Sequence, residues 1–359
     1  MTFKEHFNIP DDVIYLNSPG NGLLPKETKA WRSQWDQDFF DTNSLLRDSQ
    51  PAFIDQVKHT VSDFFGSKKE NTFLTPNFSF GYATLIDLLP KDYNYLVLED
   101  EYPSLQYPIV NRQLKQYSVA VSAKVEEGLL KAIKKHKPDV LVLSLVQYIS
   151  GLKIDLNFIK KVKSLYPKLL IIADGTQFLG TSVFDFQASG LDGLGASGYK
   201  WLLSGFGNGF MLISDTLKER LERSLSKVPM PTVAMWKDKS ILDTFFEPGH
   251  QDNLSHGTLQ QSLQFLKKMG MENIEQHINT LTNEAYELLL ERDLILPYIA
   301  EREVRSSLIN VQIDPALYPN LMNSGIKCFP RGTGIRIGIH LYNDRQDIHN
   351  FVNILESIR

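Results

Sequence analysis

The sequence has almost no cysteine, no long apolar run and no surplus of basic residues. The single cysteine, Cys328, excludes an internal disulfide, and we therefore expect a reducing, cytoplasmic setting. No window reaches the apolar length of a membrane helix, and the charged start MTFKEHFNIPDD lacks the apolar core of a signal peptide. The formal net charge is −4, which provides no basic face for nucleic acid and no polybasic membrane patch. We expect neither nucleic acid nor a membrane as a partner.

Spacings typical of metal ligands are also missing from the sequence. The eight histidines include no H-E-x-x-H pattern, and one cysteine cannot build a Cys/His cluster. We therefore predict no metal site.

Apolar segments alternate along the chain with segments of helical period. The apolar runs are too continuous for half-exposed strands, which indicates parallel strands buried on both faces. The predicted strands are Tyr95–Glu99, Val140–Val146, Leu169–Ala173 and Phe210–Ser214, and two intervening helices are Glu126–His136 and Asn157–Leu165. This order predicts an α/β fold whose mostly parallel central sheet is sandwiched by helices.

A length of 359 residues favours one large and one smaller domain. The pattern changes after about Gly257, which predicts a large domain at 14–258 and a small α+β domain at 1–13 and 259–359. The predicted elements of the C-terminal part are a long helical segment at Leu259–Arg292, strands at Leu308–Ile313 and Gly334–His340, and a last helix at Asp344–Ile358.

The segment 193–198 reads GLGASG and satisfies the dinucleotide pattern G-x-G-x-x-G, with Asp215 at a suitable offset. That site also requires an apolar strand before the glycines and a helix directly after them. The residues before Gly193 do not form an apolar strand, and the glycines at 205, 207 and 209 disfavour a helix. We therefore reject a nicotinamide dehydrogenase.

A carboxylate and a lysine occupy positions where an α/β fold of this kind usually has its ligand-binding site. Asp174 ends the apolar run LLIIA, and ligands bind beyond the carboxyl ends of parallel strands. Lys200 follows in SGYKW, an apolar and glycine-rich setting that would lower its pKa and make the amine nucleophilic. Each residue also has a plainer interpretation: Asp174 could cap a turn, and Lys200 could be a surface lysine. Together they match the needs of pyridoxal phosphate (PLP), a lysine amine and a carboxylate for the pyridine nitrogen.

Four ordered motifs resemble the class V aminotransferase family of fold-type-I PLP enzymes, and the likeness extends from about residue 14 to the end. The motifs are Ala173–Gln177, Ser197–Trp201, Ser255–Thr258 and Ile335–Asn343, the last continued by Asp347.

The resemblance implies how the cofactor is held. Lys200 would form the internal Schiff base and move protons, Asp174 would pair with the pyridinium nitrogen, and Gln177 would bind the phenolic oxygen. Tyr102 falls where the family stacks a ring on the pyridine, although a plain core or turn aromatic explains it equally well.

The resemblance also implies a phosphate site at the turn 75–79 and a homodimer. A helix starting near Gly81 would direct its positive end at the phosphate. Thr258, in a predicted loop at 255–258, matches a residue with which the family contacts the phosphate of the neighbouring subunit. The active site would therefore be shared between subunits. The implied phosphate ligands are Phe78, Ser79, Ser197, Tyr199 and Thr258.

A small amino acid is the implied substrate. Arg336 would bind its α-carboxylate through two charge-assisted hydrogen bonds, unless it lies on an exposed strand face. Asn17, in the glycine-rich segment 15–22, and Tyr148 would complete the substrate side of the site.

Within the family, the sequence leans towards the kynureninase-like branch and away from the cysteine desulfurases. Tyr199 stands where many desulfurases carry histidine, and Tyr148 stands where they often carry asparagine. Cys328 is expected to be buried as a small apolar residue, whereas a desulfurase needs a mobile nucleophilic cysteine. We predict an aminotransferase-like enzyme, with a Cβ lyase of kynureninase type as the alternative, and a catalytically silent binding protein as a third possibility.

Overall fold

The computed structural model describes residues 3–42, 45–233, 236 and 239–358. Its helices are α1 (Lys26–Asp41), α2 (Leu45–Phe64), α3 (Phe78–Leu88), α4 (Pro103–Asn111), α5 (Val125–His136), α6 (Leu156–Leu165), α7 (Asp215–Ser224), α8 (Ile241–Phe246), α9 (Asn253–Met269), α10 (Met271–Leu290), α11 (Pro297–Ala300), α12 (Tyr318–Asn323) and α13 (Arg345–Ile358). Its strands are β1 (Ile14–Tyr15), β2 (Thr72–Thr75), β3 (Tyr95–Leu98), β4 (Gln116–Val119), β5 (Val140–Ser144), β6 (Leu170–Asp174), β7 (Gly193–Ser197), β8 (Gly209–Ile213), β9 (Leu308–Val311), β10 (Ile326–Lys327), β11 (Phe329–Arg331) and β12 (Gly334–Gly338).

A seven-stranded sheet in the order β2-β8-β7-β6-β5-β3-β4 forms the centre of the molecule. Side chains of successive residues on its central strands enter two different apolar clusters, because side chains alternate between the faces of a strand. Leu141 and Ile171 pack on the face covered by α2, α5, α6 and α9, whereas Val142 and Ile172 pack on the face covered by α3, α4, α7 and α8. The predicted α/β fold with a sheet sandwiched by helices is confirmed.

The strand at 210–214 was predicted to be parallel, and this prediction is wrong. The strand is antiparallel to both of its neighbours, β7 and β2. A parallel return needs a crossover of a dozen or more residues, usually a helix. The connection from β7 to β8 is shorter and contains Gly205 and Gly207, both with positive φ, so the chain turns back directly. The remaining predicted strands, in β3, β5 and β6, are parallel.

The first two glycines of the rejected dinucleotide pattern, Gly193 and Gly195, lie inside a buried strand, β7, and Gly198 directly follows it. A Cβ on Gly195 would lie 2.3 Å from the Met211 sulfur and 2.8 Å from the Phe78 ring. Glycine is therefore required by close packing of α3 on the sheet. This strand was missed in the sequence because it lacks β-branched and aromatic residues.

The C-terminal part combines helices with the antiparallel sheet β11-β12-β9, as predicted for an α+β unit. The predicted long helix at 259–292 is wrong in one respect, because Gly270, with φ +84°, separates α9 from α10. The predicted domain boundaries fall within α9 and at β1, which pairs with β10. The division at 14–258 stays a prediction. No helix in the described ranges has both the length and the apolar character needed to cross a bilayer.

A buried ion cluster covers the edge strand that leads into the predicted phosphate turn. Glu247 accepts a 2.7 Å hydrogen bond from the backbone N–H of Leu74 in β2. Lys58 of α2 lies 3.2 Å from Glu247 and 3.1 Å from Asp243. The cluster satisfies a backbone donor of the sheet edge and joins α2 to α8.

Replacing Lys58 with methionine should lower the free energy of unfolding by about 3–5 kcal/mol, because two carboxylates would lose their buried cation. The matched control is Lys267→Met, which breaks an exposed pair with Asp63 and should cost about 0–1 kcal/mol. Urea unfolding of both variants measures the difference. Equal losses for the two variants would contradict a structural role for the buried cluster.

Candidate active site

A cavity of about 220 Å³ opens at the carboxyl ends of β5, β6 and β7. This is the edge of the sheet where the sequence predicted the chemistry. The structure brings most of the predicted site residues together there. The predicted residues that line the cavity are Phe78, Ser79, Tyr102, Tyr148, Asp174, Gln177, Ser197, Tyr199 and Lys200.

Lys200 follows β7 and is buried in the wall of this cavity. Burial lowers the pKa of its amine to about 8, because a charged ammonium loses hydration there, while Asp174 acts in the opposite direction. Within the described part of the chain, the amine has no hydrogen-bond or ion-pair partner, and the rings of Tyr102 and Tyr199 lie 5.8 and 5.6 Å from it. The amine is therefore available as a nucleophile near neutral pH.

Asp174 is the last residue of β6 and is also buried. One carboxylate oxygen accepts a 2.8 Å hydrogen bond from the backbone N–H of Thr176. Burial raises the pKa of this carboxyl, and the Thr176 hydrogen bonds and the Lys200 charge oppose the rise. A cation beside Asp174 would stabilise its ionised form.

The side-chain amide of Gln177 is fixed by two hydrogen bonds. Its oxygen accepts the indole N–H of Trp201 at 2.7 Å, and its nitrogen donates to the carbonyl of Pro19 at 3.1 Å. Because an indole nitrogen can only donate, the amide oxygen must face Trp201. The second N–H of the amide remains for a ligand in the cavity.

The predicted phosphate end is built from the start of α3 and the end of β7. The helix begins at Phe78, capped by the Asn77 side chain, and not near Gly81 as predicted. The capped turn shifts the start because an asparagine oxygen accepts the orphan N–H of Phe80. Ser197 accepts the N–H of Phe78 at 3.0 Å, which leaves the Ser197 proton free to donate to an anion.

Three tyrosines surround the open side of the cavity. Tyr102 and Tyr148 meet edge to face with their ring centroids 5.2 Å apart. Tyr199 stacks on Phe206 at 4.7 Å. The rings of Tyr102 and Tyr199 both lie close to the Lys200 amine, at 5.8 and 5.6 Å, and offer aromatic surface to a ligand bound there.

The predicted substrate side adjoins the cavity. Arg336 is buried on β12, donates to the Tyr148 carbonyl at 2.7 Å and retains a buried Nε atom without a partner. Burial lowers its pKa to about 10. Asn17 bridges to Gly338 beside this strand, and its buried side-chain oxygen is likewise unpartnered. Unsatisfied polar atoms of this kind indicate a place for a polar ligand.

Thr258 does not line the cavity of its own chain. The segment 255–258 is helical, within α9, and not a loop as predicted, because Asp252 caps the helix ahead of it. The Thr258 hydroxyl is fully buried, donates to the Leu254 carbonyl at 2.6 Å and accepts from Arg32 at 2.8 Å. Its described hydrogen bonds lie within this chain, and its role as a phosphate ligand for the neighbouring subunit stays a prediction.

Comparisons with known proteins identify the family. A model of the aminotransferase class-V family matches residues 49–351. The chain belongs to the class-V aminotransferase family. Over 336 residues, covering 88% of both chains, it is 21% identical to the uncharacterized aminotransferase YcbU of Bacillus subtilis (strain 168).

Solved structures share the fold at low identity. A lysine-to-alanine mutant of C-DES, with glycine covalently linked to its PLP cofactor, aligns with a TM-score of 0.85 at 17% identity and 99% coverage of both chains. The apo cysteine desulfurase of Thermococcus onnurineus NA1 aligns with a TM-score of 0.81 at 16% identity, covering 99% of this chain and 96% of the other.

Family membership confirms the predicted enzyme class, a PLP-dependent transferase or lyase. The site fits this cofactor, because it presents an unpartnered buried amine, a buried carboxylate and a helix start beside a free hydroxyl proton.

The lean towards the kynureninase-like branch is not confirmed by these comparisons. The burial predicted for Cys328 is confirmed, and burial raises the pKa of its thiol to about 12.

Sequence reasoning missed several residues of this aminotransferase-family site. Ser144 ends β5 directly beside Asp174 in the sheet register, and it donates to the buried carboxylate of Glu101 at 2.6 Å. A polar residue ending an apolar run was the available signal. Phe206 lines the cavity between two glycines with positive φ, and only the fold reveals its position.

Within the described ranges, no group of three or more His, Cys, Asp or Glu side chains is arranged to hold a metal ion.

The pKa of Lys200 predicts when the cofactor-free protein takes up PLP. The uptake rate should rise with pH through a midpoint near 8, because only the neutral amine is nucleophilic. Arg336→Gln removes a cation that lowers this pKa, so its midpoint should move upwards. Initial rates of the visible absorbance change between about pH 6 and 10 measure the midpoint, with Arg345→Gln as a surface charge control. A wild-type midpoint near 10 would contradict the desolvated amine.

Proposed function

We propose that this protein is an aminotransferase-like enzyme that holds PLP as a Schiff base on Lys200 and acts on a small amino acid. The observation that carries the proposal is the convergence of Lys200, Asp174 and Gln177 on one cavity at the carboxyl edge of the sheet. PLP supplies an electron sink for the negative charge left on a substrate carbon when a bond is broken.

Each protein group has a distinct task in this proposal. The Asp174 carboxylate keeps the pyridine nitrogen protonated, and that positive charge in turn stabilises the carboxylate against its burial. The free N–H of Gln177 donates to the phenolic oxygen. Ser197, Ser79 and the N-terminal end of α3 bind the phosphate, because the helix dipole favours an anion there.

On the substrate side, Arg336 binds the α-carboxylate and Asn17 contributes its unpartnered oxygen. The Lys200 amine, once free, takes and returns the proton at the substrate carbon, for which a pKa of about 8 is well placed. Tyr102 holds the ring from one face. Tyr148 fixes Arg336 through its backbone carbonyl.

Borohydride reduction of the purified protein followed by peptide mapping tests the attachment. We expect the visible band to bleach and a pyridoxyl group to appear on Lys200. Lys200→Ala should abolish the label, whereas Lys153→Gln should retain it. Lys153 is a matched control because burial lowers its pKa as well. A label on another lysine, or a protein that stays colourless with added PLP, would overturn the proposal.

The products from a panel of amino acids distinguish the candidate reactions. A keto acid with the carbon skeleton of the amino acid supports the aminotransferase. Products with a broken bond at Cβ support the second candidate, a Cβ lyase of kynureninase type, which rests on the tyrosines at 148 and 199. A labelled Lys200 with no turnover would support the silent binding protein.

We also propose a cytoplasmic homodimer whose active site is shared between subunits. The cytoplasmic location rests on the single buried cysteine. Three large apolar side chains on α1 and at the start of α2 support an interface, because exposed apolar surface marks association sites. Phe39, Phe40 and Leu45 are 62%, 82% and 67% exposed.

Replacing Phe40 with serine should weaken the dimer roughly tenfold or more, because an aromatic side chain would no longer be buried on association. Sedimentation velocity over a concentration series measures the shift. Leu165→Ser, which alters an exposed apolar residue on α6, should leave the dimer unchanged. A wild-type monomer at all concentrations would overturn the shared site.

A further inference from the structure

A second arginine lies on the same sheet face as Arg336. In the antiparallel register, Phe329 of β11 pairs with Arg336 of β12, so these two side chains share a face. Arg331 lies two residues after Phe329, and side chains two residues apart point to the same face of a strand. Arg331 therefore projects from the Arg336 face of the small sheet.

The Arg331 guanidinium is exposed and free to bind an anion. Its central carbon lies 5.1 Å from the centroid of the Phe329 ring, a cation–π contact that supports it from one side. Within the described residues it has no acidic partner and donates no hydrogen bond. Opposite it in the register stands Gly334, which has no side chain to obstruct it.

The backbone around Arg331 is fastened to the wall of the active site. Asn310 donates 2.9 Å hydrogen bonds to the carbonyls of both Ile149 and Arg331. A Cβ on the neighbouring Gly332, whose φ is +55°, would lie 2.7 Å from the Ile149 side chain. The hairpin that carries Arg331 is thus fixed beside Tyr148, which lines the cavity.

The positive charge of Arg331 influences the pKa values of Lys200 and Arg336 in the site. Burial lowers the pKa of Lys200 to about 8, and Arg336 and Arg331 add to that lowering. Burial also lowers the pKa of Arg336 to about 10, and Arg331 is the largest electrostatic contributor. In the proposed function, Asp174 is assigned to the pyridine nitrogen, so it does not neutralise either arginine. Burial raises the pKa of Tyr148 and exposed Asp100 adds to the rise, whereas Arg331 and Arg336 oppose it.

We propose that Arg331 binds a second carboxylate, carried by the substrate side chain, so that the enzyme acts on dicarboxylic amino acids. The inference rests on the proposed function, in which Arg336 binds the α-carboxylate. A guanidinium fork on a fixed hairpin suits a carboxylate, because two parallel hydrogen bonds form with little loss of freedom.

Dicarboxylates without an amino group test this assignment, because they bind without reacting. Calorimetry on the PLP-loaded protein compares succinate, glutarate and adipate with the monocarboxylates of equal carbon number, butyrate, pentanoate and hexanoate. At one chain length, the dicarboxylate should bind roughly tenfold to a hundredfold more tightly, the range expected for a charged hydrogen-bonded contact.

Arg331→Gln should abolish that preference and leave monocarboxylate affinity unchanged, whereas Arg331→Lys should retain part of it. Arg345→Gln removes an equal charge from α13 and should alter neither affinity, which controls for the general field. Arg336→Gln should weaken both classes.

Equal affinities for both classes in the wild-type protein, or a preference that survives in Arg331→Gln, would overturn the assignment. Failure of the proposed function would appear separately, as absence of a pyridoxyl label on Lys200. A protein that carries the label on Lys200 but shows no dicarboxylate preference would overturn the assignment of Arg331 alone.

Discussion

A chain of three hydrogen bonds joins the parts of the active site. The N–H of Thr176 donates to Asp174, the N–H of Ser197 donates to the Thr176 hydroxyl at 3.1 Å, and the N–H of Phe78 donates to Ser197. The chain runs from the end of β6 through the end of β7 to the start of α3. It fixes the position of the Asp174 carboxylate relative to the start of α3, where the phosphate is predicted to bind.

Desolvation moves the two central ionisable groups in opposite directions. It lowers the pKa of Lys200 and raises that of Asp174, so each group is shifted towards its neutral form. In the proposed function, PLP would place its protonated ring nitrogen beside the Asp174 carboxylate and would bind the Lys200 amine covalently. Neither group would then bear the cost of a buried, unpaired charge.

The sequence predicted what depends on local pattern and the ends of apolar runs. Continuous apolar runs identified β3, β5 and β6, and the residue that ends β6 was the proposed Asp174. Prediction from the sequence failed where tertiary packing overrides the local pattern. β7 is glycine-rich, and the helix containing Thr258 is held in place by tertiary contacts. The direction of β8 depends on a short loop. The alignment of Arg331 with Arg336 depends on a strand register that no local pattern encodes.

The amino-terminal segment is in register with strands from the far end of the chain. The N–H of Gly338 donates to the Leu16 carbonyl at 2.8 Å, and the N–H of Gly22 donates to the Tyr199 carbonyl at the same distance. A Cβ on Gly22 would lie 2.0 Å from the Lys200 carbonyl. The segment at 16–22 and its partner at 338 lie far apart along the chain. This side of the site therefore forms through contacts of very high sequence separation, and such contacts form slowly because a long loop must close first.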